Sequence, residues 1–205
     1  MPVVKSREEK INLRAGNLSL IHEPVGYRKN SIGRMDVSPL EIKFRKPCVQ
    51  DGAGIWNLVR ETEVLDLNSA YCYLMLGKYF PDTCLVAEYE QKIAGFVSAF
   101  LPPQNPEVVF VWQVAVAGSM RKKGLGTKLL KELLKREACE KVRFLETTVT
   151  LSNVASQSLF CRLARNTRSH LEVTVCFPAN LFPTKSNHET EFLFRIGPLQ
   201  RELIK

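Results

Sequence analysis

WQVAVAGSMRKKGLGTKLLKELL, residues 112–134, passes from a strand through a basic turn into a helix. From Val109 to Val116, β-branched residues alternate with small or polar ones, which is the pattern of a strand. Leu125, Leu129, Leu130, Leu133 and Leu134 recur at the spacing of one helix face, and Lys128, Lys131, Glu132 and Lys135 fall outside it. Between the two lies Arg121-Lys122-Lys123-Gly124-Leu125-Gly126. Glycines let the backbone turn tightly and approach a ligand, and the first N–H groups of a helix have no intrahelical partner. Three cations in front of such a helix start suit an anion, a pyrophosphate above all.

The loop is neither of the two commonest phosphate binders. The dinucleotide fingerprint needs a third small residue where Leu129 stands, and a P-loop needs Gly-Lys-Ser/Thr where Gly124-Leu125-Gly126 stands. Spacing alone leaves open a plain basic turn ahead of an amphipathic helix. Arg-x-x-Gly-x-Gly after a Val-Ala-Val strand, however, resembles the acetyl-coenzyme A loop of the GCN5-related N-acetyltransferase (GNAT) superfamily. The resemblance implies acetyl-coenzyme A as co-substrate and no metal. It places Val114 and Val116 against the pantetheine arm, and Arg121, Lys122, Lys123, Gly124, Leu125, Gly126 and Thr127 around the pyrophosphate.

Composition bounds the alternatives. With 205 residues, 45% of them apolar, the chain is sized for one domain and its core. The net charge is +8, and residues 1–46 hold ten Lys and Arg against five Asp and Glu, so much of the excess precedes the core. No run of five or six like charges and no RNA-binding aromatic signature occurs, which favours a small anionic ligand over nucleic acid. Cys48, Cys72, Cys84, Cys139, Cys161 and Cys176 form no Cys-x-x-Cys pair and have no histidine at metal-ligand spacing, so they read as core thiols in a reducing compartment. No secretory h-region and no apolar run of about 20 residues is present, so the expectation is a cytoplasmic protein without a membrane span.

Residues 1–40 mix charges, Asn, Gly and Pro with scattered apolar positions, the composition of a disordered extension, and residues 41–200 form the domain. Ile42–Phe44 alternates as a first strand. Asp51 stands as N-cap of a helix carrying Ile55, Leu58 and Val59, and Asp66 to Leu74 reads as a capped start to a second helix that ends before Pro81. Thr83–Glu88 and Ile93–Phe100 flank a Tyr89-to-Lys92 turn as a hairpin. Val108–Val116 follows, then the helix after Gly124, a strand over Val142–Val149, a helix over Asn153–Leu163, and strands over Leu171–Cys176 and Phe192–Ile196. The order is β, α, α, β, β, β, α, β, α, β, β, an α+β fold whose helices carry the crossovers of a mixed, mostly antiparallel sheet. It is also the order of the GNAT fold, which implies that the Val114 and Leu145 strands splay apart to admit the acyl chain.

Four segments narrow the likeness: Leu65 to Tyr73, Phe110 to Val116, Phe144 to Thr150, and His188-Glu189 with Phe194 to Leu199. Together they resemble the L-2,4-diaminobutyrate acetyltransferases of ectoine synthesis, from about Glu41 to Leu199. The resemblance implies a homodimer that acetylates the side-chain amine of diaminobutyrate. Such a substrate has two ammonium groups and one carboxylate, so its pocket needs acceptors for the first and donors for the second. Asp66 and Glu146 supply acceptors, and Trp112, Tyr71 and His188 supply donors. Each also has a plainer reading: Asp66 as helix cap, Trp112 and Tyr71 as core aromatics, Glu146 as a solvated strand end, His188 as a loop residue.

The expected chemistry is direct attack of a neutral amine on the thioester. An aliphatic ammonium titrates near 10, so a base must take its proton, and Glu146 is the first choice with His188 second. Asp66 is the expected clamp for the α-ammonium. Asn153 opens the fourth helix as cap and as coenzyme contact, while Phe160 stands where many of the superfamily have a Tyr that protonates the thiolate. Phenylalanine has no proton to give, so Phe160 is expected to pack beside the coenzyme. Two rivals stay open, an acetyltransferase for another small amine and a coenzyme-binding module without turnover.

Overall fold

A computed structural model describes residues 41–184 and 187–204; the extension read at residues 1–40 lies outside them. The described elements are β1 (Lys43–Arg45), α1 (Gly52–Arg60), α2 (Ala70–Tyr79), β2 (Leu85–Tyr89), β3 (Lys92–Phe100), β4 (Val108–Val116), α3 (Leu125–Leu134), β5 (Phe144–Val149), α4 (Val154–Asn166), β6 (His170–Phe177) and β7 (Glu191–Gly197). Their order is the one expected. The strands form one seven-stranded sheet, β1-β2-β3-β4-β5-β7-β6. Every neighbouring pair is antiparallel except β4 with β5. That parallel pair is joined through α3, as a crossover requires.

The opening in the sheet follows from the β4–β5 register. The two strands pair at Val108↔Phe144, Val109↔Leu145 and Phe110↔Glu146. Beyond those residues β4 runs on to Val116 and β5 to Val149 with no further pairing between them. The parallel strands therefore diverge toward their C-terminal ends and leave a wedge, the expected splay.

A bulge in β4 sets what faces each side of it. Ser98 pairs with Gln113 and Ala99 with Val111, so Trp112 is an extra residue with no partner on β3. One inserted residue exchanges the faces of everything after it. Val109 and Val111 pack with the α3 leucines, and beyond the bulge so do Val114 and Val116, while Ala115 packs with α1 and α2 residues. Without the bulge Val114 would point to the other side of the sheet.

Two apolar clusters hold the layers. Leu129, Leu130, Leu133 and Leu134 of α3 are fully buried against Val109, Val111, Leu145 and Ile196 of the sheet. Each buried leucine contributes roughly 1.5–3 kcal/mol. On the other face Ile55, Leu58 and Val59 of α1 and Tyr73 and Leu76 of α2 cover Val86, Phe96 and Ala115. The β2–β3 hairpin turns through Glu90 and Gln91 with φ of 51° and 59°, the left-handed pair that a tight hairpin needs.

Two local expectations need correction. Asp51 precedes α1 but makes no cap bond to it. Its carboxylate instead accepts both Arg45 Nη atoms, at 2.7 and 2.8 Å, and the Cys48 backbone N–H at 2.8 Å, because the paired guanidinium is the stronger donor. Asp66 does not cap the second helix either: α2 begins at Ala70 with Ser69 as N-cap, which removes the plainer reading of Asp66.

Candidate active site

A cavity of about 450 Å³ lies where β4 passes into α3, against the first turns of α4. Val114 and Val116 line it with Arg121, Lys122, Gly124, Leu125, Gly126 and Thr127, together with Asn153, Ser156 and Leu159 of α4 and Thr62, Val64 and Leu65 of the α1–α2 connection. The first helical bond of α3 runs from the Lys128 N–H to the Gly124 carbonyl at 3.0 Å, so the preceding N–H groups lack helical partners. A ten-residue helix thus aims its positive end at the cavity, beside Arg121 and Lys122. The donor set fits the diphosphate of a coenzyme, and the apolar strand beside it fits an extended acyl arm.

The two glycines serve different needs. Gly124 has φ 80° with open space where a Cβ would stand, so its requirement is backbone conformation. Gly126 is helical, and a Cβ there would meet Leu159 Cδ1 at 3.3 Å and Val116 Cγ2 at 3.8 Å, so its requirement is room between β4 and α4. Lys122 is also left-handed, with φ 60°, a strained value for a side-chain-bearing residue held in the loop. The Arg121 Nε–H donates to the Val116 carbonyl at 3.2 Å, folding that side chain back along the strand.

Other expected coenzyme residues divide. Asn153 accepts the Ser156 N–H at 3.0 Å as N-cap of α4 and also lines the cavity. Lys123 is exposed and not on the cavity wall. Phe160 is not on the wall either: it is 3% exposed within the main core, because one residue along a helix turns the side chain away from the direction of Leu159.

Of the expected substrate residues, Glu146, His188 and Asp66 lie on the side of the sheet away from α3. On β5, Leu145, Thr147 and Val149 are buried toward α3 and α4, which leaves Glu146 and Thr148 on the other face. The register Glu146↔Arg195 and Thr148↔Leu193 puts Glu191, Leu193 and Arg195 of β7 on that same face. Glu146 forms an ion pair with Arg195 through Oε1, and the Arg195 guanidinium also lies 4.1 Å from the Phe144 ring. Glu146 stands opposite Phe110, where β4 and β5 are still paired. Glu191 stands past that point, at the open end.

His188 joins two loops across the opening. Its Nε2 lies 3.6 Å from Asp66 Oδ2 and 3.8 Å from Glu191 Oε1. Its Nδ1–H donates to the Glu189 carbonyl at 2.8 Å, and Phe182 stacks on the ring at 3.8 Å. The Glu189 carbonyl, with the Asp66 and Glu191 carboxylates, raises the imidazole above its ordinary pKa. Glu191 is raised above the usual carboxylate range, by burial first, against a lowering bond from Thr148. Its Oε2 is buried without a hydrogen-bond partner among the described residues. A buried acceptor left open in this way is costly unless something fills it.

Asp66 itself is exposed, with 88% of its side chain accessible. Tyr71 on α2 is 67% exposed and Trp112 in the bulge 45%, which removes their reading as core aromatics. Two residues of this region had no role assigned from the sequence, Glu191 and Gln113. Alternation would have found the first: Phe192, Phe194 and Ile196 mark one face of β7, so Glu191 and Arg195 belong to the other. Its importance depends on pairing with β5, which a single sequence does not display.

Comparison with known proteins agrees with this geometry. Residues 54–164 match the acetyltransferase (GNAT) family model. The L-2,4-diaminobutyric acid acetyltransferase of Halalkalibacterium halodurans is 50% identical over 158 residues, 77% of this chain and 82% of that protein. That of Marinococcus halophilus is 49% identical over 160 residues, 78% and 92% of the two chains. Among solved structures, the diaminobutyrate acetyltransferase EctA from Paenibacillus lautus, in complex with its substrate L-2,4-diaminobutyric acid and coenzyme A, superposes with a TM-score of 0.76 at 50% identity, covering 78% of this chain and 96% of that one. Ard1 from Thermoplasma volcanium, 15% identical with a TM-score of 0.62 over 76% of this chain and 97% of that one, shares the fold alone. The chain belongs to the GNAT acetyltransferase family and, within it, to the L-2,4-diaminobutyric acid acetyltransferases.

Proposed function

We propose that the protein transfers acetyl from acetyl-coenzyme A to the γ-amine of L-2,4-diaminobutyrate, giving N4-acetyl-L-2,4-diaminobutyrate for ectoine synthesis. The observation that carries this reading is the 50% identity over 96% of a chain that holds both L-2,4-diaminobutyric acid and coenzyme A. Coenzyme and amine enter the wedge from opposite faces of the sheet. The cavity beside Val114, Val116 and the 121–127 loop takes the coenzyme, and the Asp66–His188–Glu191 cluster takes the amine.

The γ-ammonium gives its proton to a base, and the neutral nitrogen attacks the thioester carbonyl. The carbon–sulfur bond breaks, and the thiolate takes the proton that the nitrogen sheds as it becomes an amide. Glu191 becomes the first choice for the base and Glu146 the second, an order changed by two observations. Glu191 is raised by burial, has an open oxygen and stands in the opening; Glu146 has one oxygen committed to Arg195 and stands on the paired part of β5. His188 remains a third candidate, and in its imidazolium form it meets the substrate carboxylate together with Trp112 and Tyr71. Asp66 clamps the α-ammonium. Such a clamp is needed because the α-amine is intrinsically the more acidic and therefore the more often neutral, so position alone selects the γ-nitrogen.

The reading includes a cytoplasmic homodimer. Six unpaired cysteines suit a reducing compartment. No helix among the described residues is long and apolar enough to cross a membrane. Strand β6 ends the sheet with Val173 and Val175 on one face, 47 and 58% exposed, an apolar patch fit for a second copy. Mass spectrometry of products from diaminobutyrate, ornithine, lysine and putrescine in parallel is the test. A dominant γ-acetylated diaminobutyrate is expected; equal turnover of putrescine, which has no carboxylate, would overturn the reading. Light scattering of the same preparation should give twice the 23.3 kDa chain mass.

A further inference from the structure

We propose that Gln113 is a positioning residue that fixes the Asp66 clamp to the strand carrying the coenzyme contacts. The inference rests on the reading of Asp66 given above. Gln113 is 5% exposed and bonded at both ends of its amide. Its Nε2 donates to the Asp66 backbone carbonyl at 2.7 Å, and its Oε1 accepts the Tyr73 hydroxyl at 3.2 Å. Its backbone N–H donates to the Ser98 hydroxyl at 3.2 Å, at the bulge. Tyr73 and Ser98 are fully buried. The Tyr73 hydroxyl also meets Asn68, and burial raises its pKa, so it stays a neutral donor. A carbonyl only accepts, so the orientation of the Gln113 amide follows from its partner.

Asp66 gives this network its purpose. Its carboxylate is exposed, yet it stands 3.6 Å from His188, so its place is set by its backbone and by the loop that the backbone belongs to. That loop has no helix before Ala70 to stiffen it. Gln113 supplies the stiffness from β4, one residue from Val114. Clamp and coenzyme wall therefore share one stretch of backbone, and the separation between α-ammonium and thioester is fixed by a single side chain. Among side chains of this length only an amide both donates to Asp66 and accepts from Tyr73. Glutamate loses the donor and methionine loses both.

Two variants test this, Gln113→Met and Tyr73→Phe, the second removing one hydroxyl and keeping the packing. Hydrogen–deuterium exchange of the peptide spanning residues 62–70 reads the tie without any substrate. Loss of protection there, with the α3 peptide unchanged, is expected in both variants. In kinetics, the KM for diaminobutyrate should rise about tenfold in Gln113→Met, as for a lost buried hydrogen bond, with the KM for acetyl-coenzyme A within about twofold. Some α-acetylated product should appear beside the γ-isomer. If exchange and the ratio of the two KM values stay as in the wild type while only Tm falls, Gln113 is core structure and the proposal is overturned. A wild type that fails to acetylate diaminobutyrate while the exchange responds would instead sink the functional reading and leave the tie standing.

Discussion

In the proposed reading the coenzyme side of the wedge is drawn mainly from residues 114–127 and the start of α4, whereas the amine side is drawn from Asp66, Trp112, Glu146, and His188 with Glu191, on four separate stretches of chain. The first works largely through backbone: helix N–H groups, a left-handed glycine, and a strand edge opened by the splay. The second works through side chains whose chemistry depends on what surrounds them. Glu146 and Glu191 make the point, since both are glutamates on one sheet face. One is held by a guanidinium and the other is left buried with an open oxygen. A backbone site is written in the local sequence; a side-chain site exists only once the sheet has paired.

The largest expected effect tests the amine side. Glu191→Gln keeps size and removes basicity, so kcat should fall by roughly 10²–10⁴ while coenzyme binding is unchanged. Glu146→Gln should cost less, because Arg195 keeps an oxygen to bond. Stopped-flow or steady-state turnover with saturating acetyl-coenzyme A compares the two. A greater loss in Glu146→Gln would move the base to the paired part of β5 and break the distinction drawn above.

On the coenzyme side the effects should be smaller and should sort by glycine. Gly126→Leu puts a side chain between Leu159 and Val116, and the coenzyme Kd should rise about tenfold or more, some 1.4 kcal/mol. Gly126→Ala should bind almost normally, since the flexible end of Leu159 gives way and alanine favours a helix. Gly124→Ala should instead lower stability by about 1–2 kcal/mol, as a side chain forced left-handed does. Calorimetry with coenzyme A and thermal melts separate the two. Loss of binding without loss of stability in Gly124→Ala would reverse the assignment.

These contrasts explain what could be read in advance. Five leucines on one face gave α3 its position, and Val-Ala-Val ahead of Arg-x-x-Gly-x-Gly gave the loop, because both signals are local. The β4 bulge is hidden in the sequence: nothing in Val111-Trp112-Gln113 says that Trp112 has no partner on β3, so the place of Gln113 is not legible there. Phe160 lies in the core and not beside the coenzyme cavity for a similarly hidden reason, since a one-residue step along α4 decides between cavity and core. Asp66 looked like a cap because Asp often is one, but the helix waits until Ala70. Glu191 gained meaning only from the β5–β7 register.

The smallest effect, and the one that tests whether the amine side acts as a coupled set, belongs to Asp66→Asn. Asp66 is exposed, so removing its charge should raise the KM for diaminobutyrate only severalfold, in the range of a screened ion pair. It should also move the pH dependence. The Asp66 charge helps raise His188 and Glu191 alike, so removing it lowers both. Substrate binding needs Glu191 ionised for the amine, which is gained as pH rises through its elevated pKa, and His188 charged for the carboxylate, which is lost as pH rises through its own. In Asp66→Asn both limbs of the profile of 1/KM should therefore slide toward lower pH. Chromatography of the α- and γ-acetylated isomers, with KM followed from pH 5 to 9.5, reads charge and clamp together. Limbs that stay in place while the α-isomer increases would leave Asp66 a clamp with no electrostatic hold on its neighbours, and the amine side would then be a set of independent side chains.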